Sequence, residues 1–165
     1  MCTFKKATFE DISLIRDLAK KSWNSAYKNI LCKEQISYML QEMYSEEEIS
    51  RQLQNPNYVY FLISVDEQNA GFIGFEYAYE KKTTKLHRIY LVEEFKGKGL
   101  GKKALQFLKE QVKKNGDARV ILNVNKNNPA LKVYESQGFK IYTEGVFDIG
   151  SGFVMDDYLL EFIID

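Results

Sequence analysis

Between Leu86 and Ala104 the chain reads LHRIYLVEEFKGKGLGKKA: an apolar run, then glycines at alternate positions among lysines, then a helical pattern. Gly97, Gly99 and Gly101 carry no side chains, so the backbone N–H groups of residues 98–102 can approach an anion closely. The first turn of the following helix adds donors with no partner of their own, which makes it a ready anion site. Lys96, Lys98, Lys102 and Lys103 bring positive charge to the same loop. That combination suits a diphosphate with a further ribose phosphate nearby. An ordinary solvated strand-to-helix turn would use the same residue types.

Two nucleotide loops can be tested on these residues. A P-loop needs glycine five residues before its Gly-Lys pair and Ser or Thr after it, where this chain has Lys96 and Lys103. That reading fails. Gly99, Gly101 and Ala104 fit a loose G-x-G-x-x-A dinucleotide fingerprint, but the next strand ends in Asn123 and Asn125 rather than in an acidic residue.

Lys96-Gly97-Lys98-Gly99-Leu100-Gly101 resembles the cofactor loop of the GNAT superfamily of acetyl-CoA-dependent N-acetyltransferases. Lysine stands where that signature has Gln or Arg, which affects one side chain and leaves the backbone cradle intact. A second stretch, Asn128-Pro129-Ala130-Leu131-Lys132-Val133-Tyr134-Glu135-Ser136-Gln137-Gly138-Phe139, is similar to the superfamily's asparagine, helix, tyrosine and closing Gly-Phe. Within the superfamily the chain most resembles bacterial polyamine N-acetyltransferases of the PaiA type. His87-Arg88-Ile89-Tyr90, the loop 95–102 and the aromatic residues around Trp23 and Tyr27 carry that likeness.

The resemblance implies an enzyme that moves an acetyl group from acetyl-CoA to a primary amine by direct attack in a ternary complex. Coenzyme A would be held by Lys96, Gly97, Lys98, Gly99, Leu100, Gly101 and Lys102, and by the backbone of Tyr90, Leu91 and Val92, where the sheet splays. Asn123 and Asn128 would lie near the pantetheine arm, although an asparagine before Pro129 also serves as an N-cap. Tyr134 would stand near the cofactor sulfur as general acid, since a phenol has one proton to give; it also fits a core aromatic position. Candidates for the base are Glu76 and His87, the only histidine, with a water chain as the alternative.

The substrate expected is a small amine such as a polyamine. Trp23, Tyr27 and Tyr79 offer cation–π faces, and Glu76, Glu80, Asp148, Asp156 and Asp157 offer charge to offset a polycation. A solvated acidic surface would look the same. No metal is expected. A non-catalytic acyl-CoA-binding regulator on the same scaffold is the competing reading.

The elements that must position these residues are legible in part. A short strand at residues 3–7 precedes Thr8 and Asp11, a capping-box pair that starts a helix over 9–23 with Ile12, Ile15, Leu18 and Ala19 on one face. An aromatic, irregular stretch follows, then helical stripes on Ile36, Met39, Leu40 and Met43 and after Ser45, ending before Pro56. Residues 58–65 and 71–79 read as a hairpin, the polar run EKKTTK breaks the pattern, and residues 87–92 form the strand that enters the glycine loop. The helix after the loop ends near Gly116, residues 120–124 read as a buried parallel strand, and Pro129 and Gly138 bound the next helix. Two closing strands, 139–143 and 154–164, are joined by the loop EGVFDIGSG. The pattern is α/β, and the resemblance makes it a central mixed, largely antiparallel twisted sheet of about six to seven strands with helices on both faces.

With 165 residues, 45% of them hydrophobic and 14% aromatic, the chain fills one core and is expected to be a single domain, 1–165. Twenty-three basic and twenty-three acidic residues cancel, so net charge points neither to nucleic acid nor to an anionic membrane. Cys2 and Cys32 show no metal spacing and read as free thiols in a reducing compartment. With no apolar leader and no run approaching ~20 apolar residues, a cytoplasmic location is expected. Exposed aromatics near Tyr142 and Phe153 are the candidates for a homodimer contact.

Overall fold

The computed structural model, which describes residues 1–165, is built on seven strands: β1 (Cys2–Lys6), β2 (Tyr58–Val65), β3 (Gln68–Glu80), β4 (Thr83–Leu91), β5 (Arg119–Asn125), β6 (Lys140–Gly150) and β7 (Phe153–Ile163). They form one sheet in the order β1-β2-β3-β4-β5-β7-β6. All neighbours are antiparallel except β4 and β5, which run parallel. Five helices accompany them: α1 (Ile12–Ala26), α2 (Lys33–Met43), α3 (Glu46–Gln54), α4 (Leu100–Asn115) and α5 (Ala130–Ser136).

Strand alternation sends successive β2 side chains to opposite helical layers. The Tyr60 hydroxyl donates to Gln52 of α3 at 2.6 Å, whereas Phe61 packs edge-on against Phe107 of α4 with ring centroids 4.8 Å apart. Helices α1 to α3 therefore cover one face and α4 the other. Ile12, Ile15, Leu18, Ala19 and Trp23 form the buried stripe of α1, and Ala104, Leu105, Leu108 and Val112 that of α4. The capping box at Thr8 and Asp11 forms, but it closes a short 3₁₀ turn over Phe9–Asp11 that leads into α1.

Two polar stretches expected as loops are strand instead. EKKTTK contains only a tight turn, and Thr83 and Thr84 at its end are buried in β4, with the Thr84 hydroxyl donating to Asp117 at 2.7 Å. Most of EGVFDIGSG belongs to β6, and Ser151 and Gly152, both with positive φ, make the turn into β7. Sheet pairing satisfied backbone groups that the polar side chains had suggested were solvated. Tyr142 is exposed as expected, but Phe153 packs against Tyr38 of α2 at 5.3 Å.

A bulge shapes β4. Gly74 pairs with Arg88 and Phe75 with Leu86, so His87 is the extra residue, and both His87 and Arg88 reach the α1–α3 face. Arg88 is buried there. It donates to the Tyr60 hydroxyl and to the Met43 carbonyl, each at 2.7 Å, and stacks 4.0 Å from the Tyr44 ring centroid. This one cation ties the end of α2 to the sheet.

Further along the same pair of strands, Gly71 allows a close approach: a Cβ there would lie 2.0 Å from the Tyr90 carbonyl oxygen. Gly71→Ala is accordingly expected to lower stability by about 2–4 kcal/mol, a strain penalty of the larger kind. An unchanged urea midpoint for the variant would refute the tight β3–β4 approach.

Candidate active site

Strands β4 and β5 pair only from Thr83 with Arg119 to Leu86 with Leu122; beyond that they diverge. A cleft of about 510 Å³ opens between them, lined by both strands, the glycine loop, the start of α4 and the helix α5. The divergence leaves backbone groups of β4 without strand partners, and the ladder with β3 tells which ones. The Val92 N–H donates to the Ala70 carbonyl at 2.9 Å. Because hydrogen-bonded and non-hydrogen-bonded pairs alternate in an antiparallel ladder, Tyr90 likewise faces its backbone toward β3, and Ile89 and Leu91 turn theirs into the cleft.

The glycine loop lines the cleft. Gly99 has φ +76, the left-handed region, and a Cβ built on it would project into open space. The only intrahelical bond at this helix start begins with Lys103 N–H to the Gly99 carbonyl, so the N–H groups of Leu100, Gly101 and Lys102 remain available. Lys96 and Lys102 line the cleft. Lys96 also pairs with Glu93 at 3.3 Å, and Glu93 takes a hydrogen bond from Ser25 of α1, so α1 braces the loop. Those two partners, Ser25 first, hold the Glu93 carboxyl below its ordinary value.

Tyr134 of α5 also lines the cleft, 8% exposed, its ring edge-on to Phe139 at 5.9 Å. Burial raises its phenol well above the ordinary value, so it is protonated at neutral pH. Tyr27, just past the end of α1, lines the same cleft. The Tyr27 hydroxyl takes a hydrogen bond from the Asn128 amide at 3.3 Å and lies 3.4 Å from the Tyr90 hydroxyl. The Asn128 carbonyl oxygen at the same time accepts from the Ala130 N–H at 2.9 Å, so this asparagine caps α5 and also props Tyr27.

On the α1–α3 face of β3 and β4, Glu76 and His87 meet at 3.0 Å. The imidazole stacks on Tyr58 at 4.8 Å and meets Tyr79 edge-on at 5.6 Å. Burial, reinforced by the charges of Lys85 and Arg88, pushes the His87 pKa down to about 4 against the pull of Glu76. The ring is neutral at pH 7.

These features bring together a glycine loop with free helix-terminal amides, a cleft with free backbone groups and a protonated phenol. A sequence profile described as the acetyltransferase (GNAT) family matches residues 19–139, most of the chain. The chain belongs to the acetyltransferase (GNAT) family. It is 29% identical over 160 residues to the spermidine N(1)-acetyltransferase of Thermoplasma acidophilum, covering 92% of this chain and 94% of that one. Among solved structures, the PaiA N-acetyltransferase of Thermoplasma acidophilum in complex with coenzyme A matches with a TM-score of 0.82 and 25% identity over 98% of each chain. The ribosomal-protein-S18-alanine N-acetyltransferase of Escherichia coli shares the fold, with a TM-score of 0.75 at 19% identity over 99% of this chain and 94% of that one.

Most of the GNAT positions read from the sequence converge on the cleft: Tyr27, His87, Tyr90, Leu91, Lys96, Gly97, Gly99, Leu100, Gly101, Lys102, Asn123, Asn128 and Tyr134 all line it. Others do not. Val92 has its N–H on Ala70, and its carbonyl accepts from Phe95, so its backbone has nothing left to offer. Lys98 extends instead over the Phe95 ring at 5.4 Å. Trp23 is 1% exposed, packed on Tyr27 at 4.6 Å and on Tyr90 at 5.4 Å, and therefore supports the cleft wall without presenting a face. The face of Tyr79 already carries Lys85, 4.8 Å away. Ile89, missed in the sequence, contributes through its backbone, and nothing in an isoleucine side chain signals that.

The buried neutral imidazole has a consequence for stability. The unfolded chain takes up a proton on His87 near the ordinary 6.5 while the folded chain declines it until about 4, so the contribution is complete above 6.5 and is lost as pH falls toward 4. His87→Gln should therefore flatten the fall of Tm between those two pH values relative to the wild type. Parallel Tm profiles would contradict it.

Proposed function

We propose that the protein transfers an acetyl group from acetyl-CoA to a primary amine, with a small polyamine as substrate. The observation that carries this reading is the cleft between β4 and β5, lined both by the free helix-terminal amides of α4 and by Tyr134. The Thermoplasma relative named spermidine N(1)-acetyltransferase, similar along nearly its whole length, supports the polyamine assignment.

In this reading the N–H groups of Leu100, Gly101 and Lys102, with Lys96 and Lys102, hold the diphosphate, and the left-handed Gly99 lets the backbone close on it. Ile89 and Leu91 pair with the amides of the pantetheine arm as a missing strand would. The thioester supplies an activated acetyl carbon, and no covalent residue of the protein is needed. Tyr134 donates its proton to the departing sulfur, a role that suits a phenol kept protonated by burial. Glu76 and His87 lie on the face where the amine would arrive. The imidazole is neutral at pH 7 and already engaged with Glu76, so its place is in shaping that approach.

The free thiols of Cys2 and Cys32 suit a reducing, cytoplasmic setting. No helix is long and apolar enough to cross a membrane.

The test is thiol release from acetyl-CoA against a panel of polyamines, monoamines and amino-terminal peptides. Spermidine or a close analogue should give the highest kcat/KM. Tyr134→Phe should lower kcat by about 10²-fold or more with the affinity for acetyl-CoA unchanged. A protein that binds acetyl-CoA but consumes no amine would instead be a non-catalytic acyl-CoA binder.

A further inference from the structure

Five acidic residues were candidates for meeting a cationic substrate, and the structure separates one from the rest. Glu76 is engaged by His87 at 3.0 Å and by the Asn55 amide at 3.4 Å. Glu80 lies 3.7 Å from Arg119, Asp156 pairs with Lys126 at 3.1 Å, and Asp148 accepts from the Gly150 N–H at 2.8 Å. Asp157 has only the Asn123 amide beside it, which leaves one oxygen over. It is 6% exposed, and its Oδ1 is the one buried side-chain polar atom in the chain with no hydrogen bond. A buried carboxylate oxygen left alone is costly, and one retained beside a cleft calls for an explanation, a catalytic role among them.

Its position supplies that explanation. Asp157 sits on β7 opposite Asn125 of β5, and Met155, two residues along the same strand and so on the same face, is reached by the Gln35 amide of α2 at 3.8 Å. The carboxylate therefore faces the α1–α3 layer, beside the flank of the cleft that β5 forms. The Asn123 amide and the Tyr27 phenol, both lining the cleft, are its neighbours, and the other charges that act on it are Lys85 and Asp156. Burial raises its pKa, with Asn123 opposing. The group is thus a better proton acceptor than an exposed aspartate.

We propose that Asp157 receives the ammonium group of the amine substrate and takes its proton, acting as the general base of the transfer. The inference rests on the acetyltransferase reading above. In the step, an ammonium N–H bond breaks as an O–H bond forms on Asp157, and the electron pair freed on nitrogen forms the new bond to the acetyl carbon. The carbon–sulfur bond breaks with its electron pair going to sulfur, which takes the Tyr134 proton. The second proton on the acylated nitrogen returns to the Tyr134 oxygen, and Asp157 gives its proton to solvent.

Asp157→Asn tests it, measured beside the wild type with spermidine between pH 7 and 10. The variant should bind acetyl-CoA with the wild-type Kd, lose about 100-fold or more in kcat/KM at pH 7, and recover toward wild type at high pH, where solvent supplies neutral amine. A merely structural role would give a defect that does not shrink with pH. Equal turnover at all pH values, or a pH-independent loss, would overturn the assignment while leaving the acetyltransferase reading intact. A wild type that binds acetyl-CoA and acetylates nothing would overturn both. Should the variant fold poorly, the carboxyl carbon-13 resonance of Asp157 in the wild-type protein with coenzyme A serves instead. Spermidine should lower its titration midpoint, and an unmoved midpoint would overturn the proposal.

Discussion

Parallel neighbours in a sheet normally share hydrogen bonds along their whole length, and here β4 and β5 stop after Leu86 and Leu122. Backbone amides in a protein interior are rarely left without partners, so such a parting needs a reason and a replacement. It leaves Ile89 and Leu91 as the residues whose main-chain groups are free. The free end of α4 and the helix α5 both line the same gap, so the glycine loop and the phenol of Tyr134 share one slot. The rest of the structure maintains that gap.

On the α1–α3 face the maintenance is done by aromatic packing around one buried cation. The bulge at His87 turns two consecutive side chains of β4 to the same side, and Arg88 uses that geometry to reach both Tyr60 and the end of α2. Trp23 fills the space between Tyr27 and Tyr90 and donates its indole N–H to Tyr44 at 3.2 Å. The wall formed in this way fixes Tyr27 against Asn128, joining α1 to the start of α5. The positive charge of Arg88 also helps keep His87 neutral, so the packing layer sets the protonation state of a group beside the cleft.

A chain with no net charge can still be polar along one axis. The end of the cleft at α4 presents lysines and helix-terminal N–H groups, and β7 presents a buried carboxylate with an unused oxygen. The first arrangement suits an anion and the second a cation. Neither sign is visible in the balance of twenty-three basic against twenty-three acidic residues.

The glycine loop and the helix after it were legible from the sequence because they depend on residue types at fixed local spacing: glycines that free the backbone, lysines beside them, and a helical stripe directly after. Most element boundaries followed from the same local patterns, as with the capping pair at Thr8 and Asp11 and the stop at Gly116. Tyr134 and Asn128 came from a motif on one short helix and line the cleft together. What the sequence could not supply was register across strands. The polar stretch before Thr83 and the one ahead of Ser151 looked like loops because strand pairing is a long-range decision. Whether Glu76 and His87 meet depends on a bulge that cancels strand parity, and whether Tyr90 or Ile89 offers its backbone depends on which rung of the β3 ladder each occupies. Asp157 was one acid among several until burial and an unpaired oxygen singled it out, because desolvation is a property of the packed interior and has no local sequence signature.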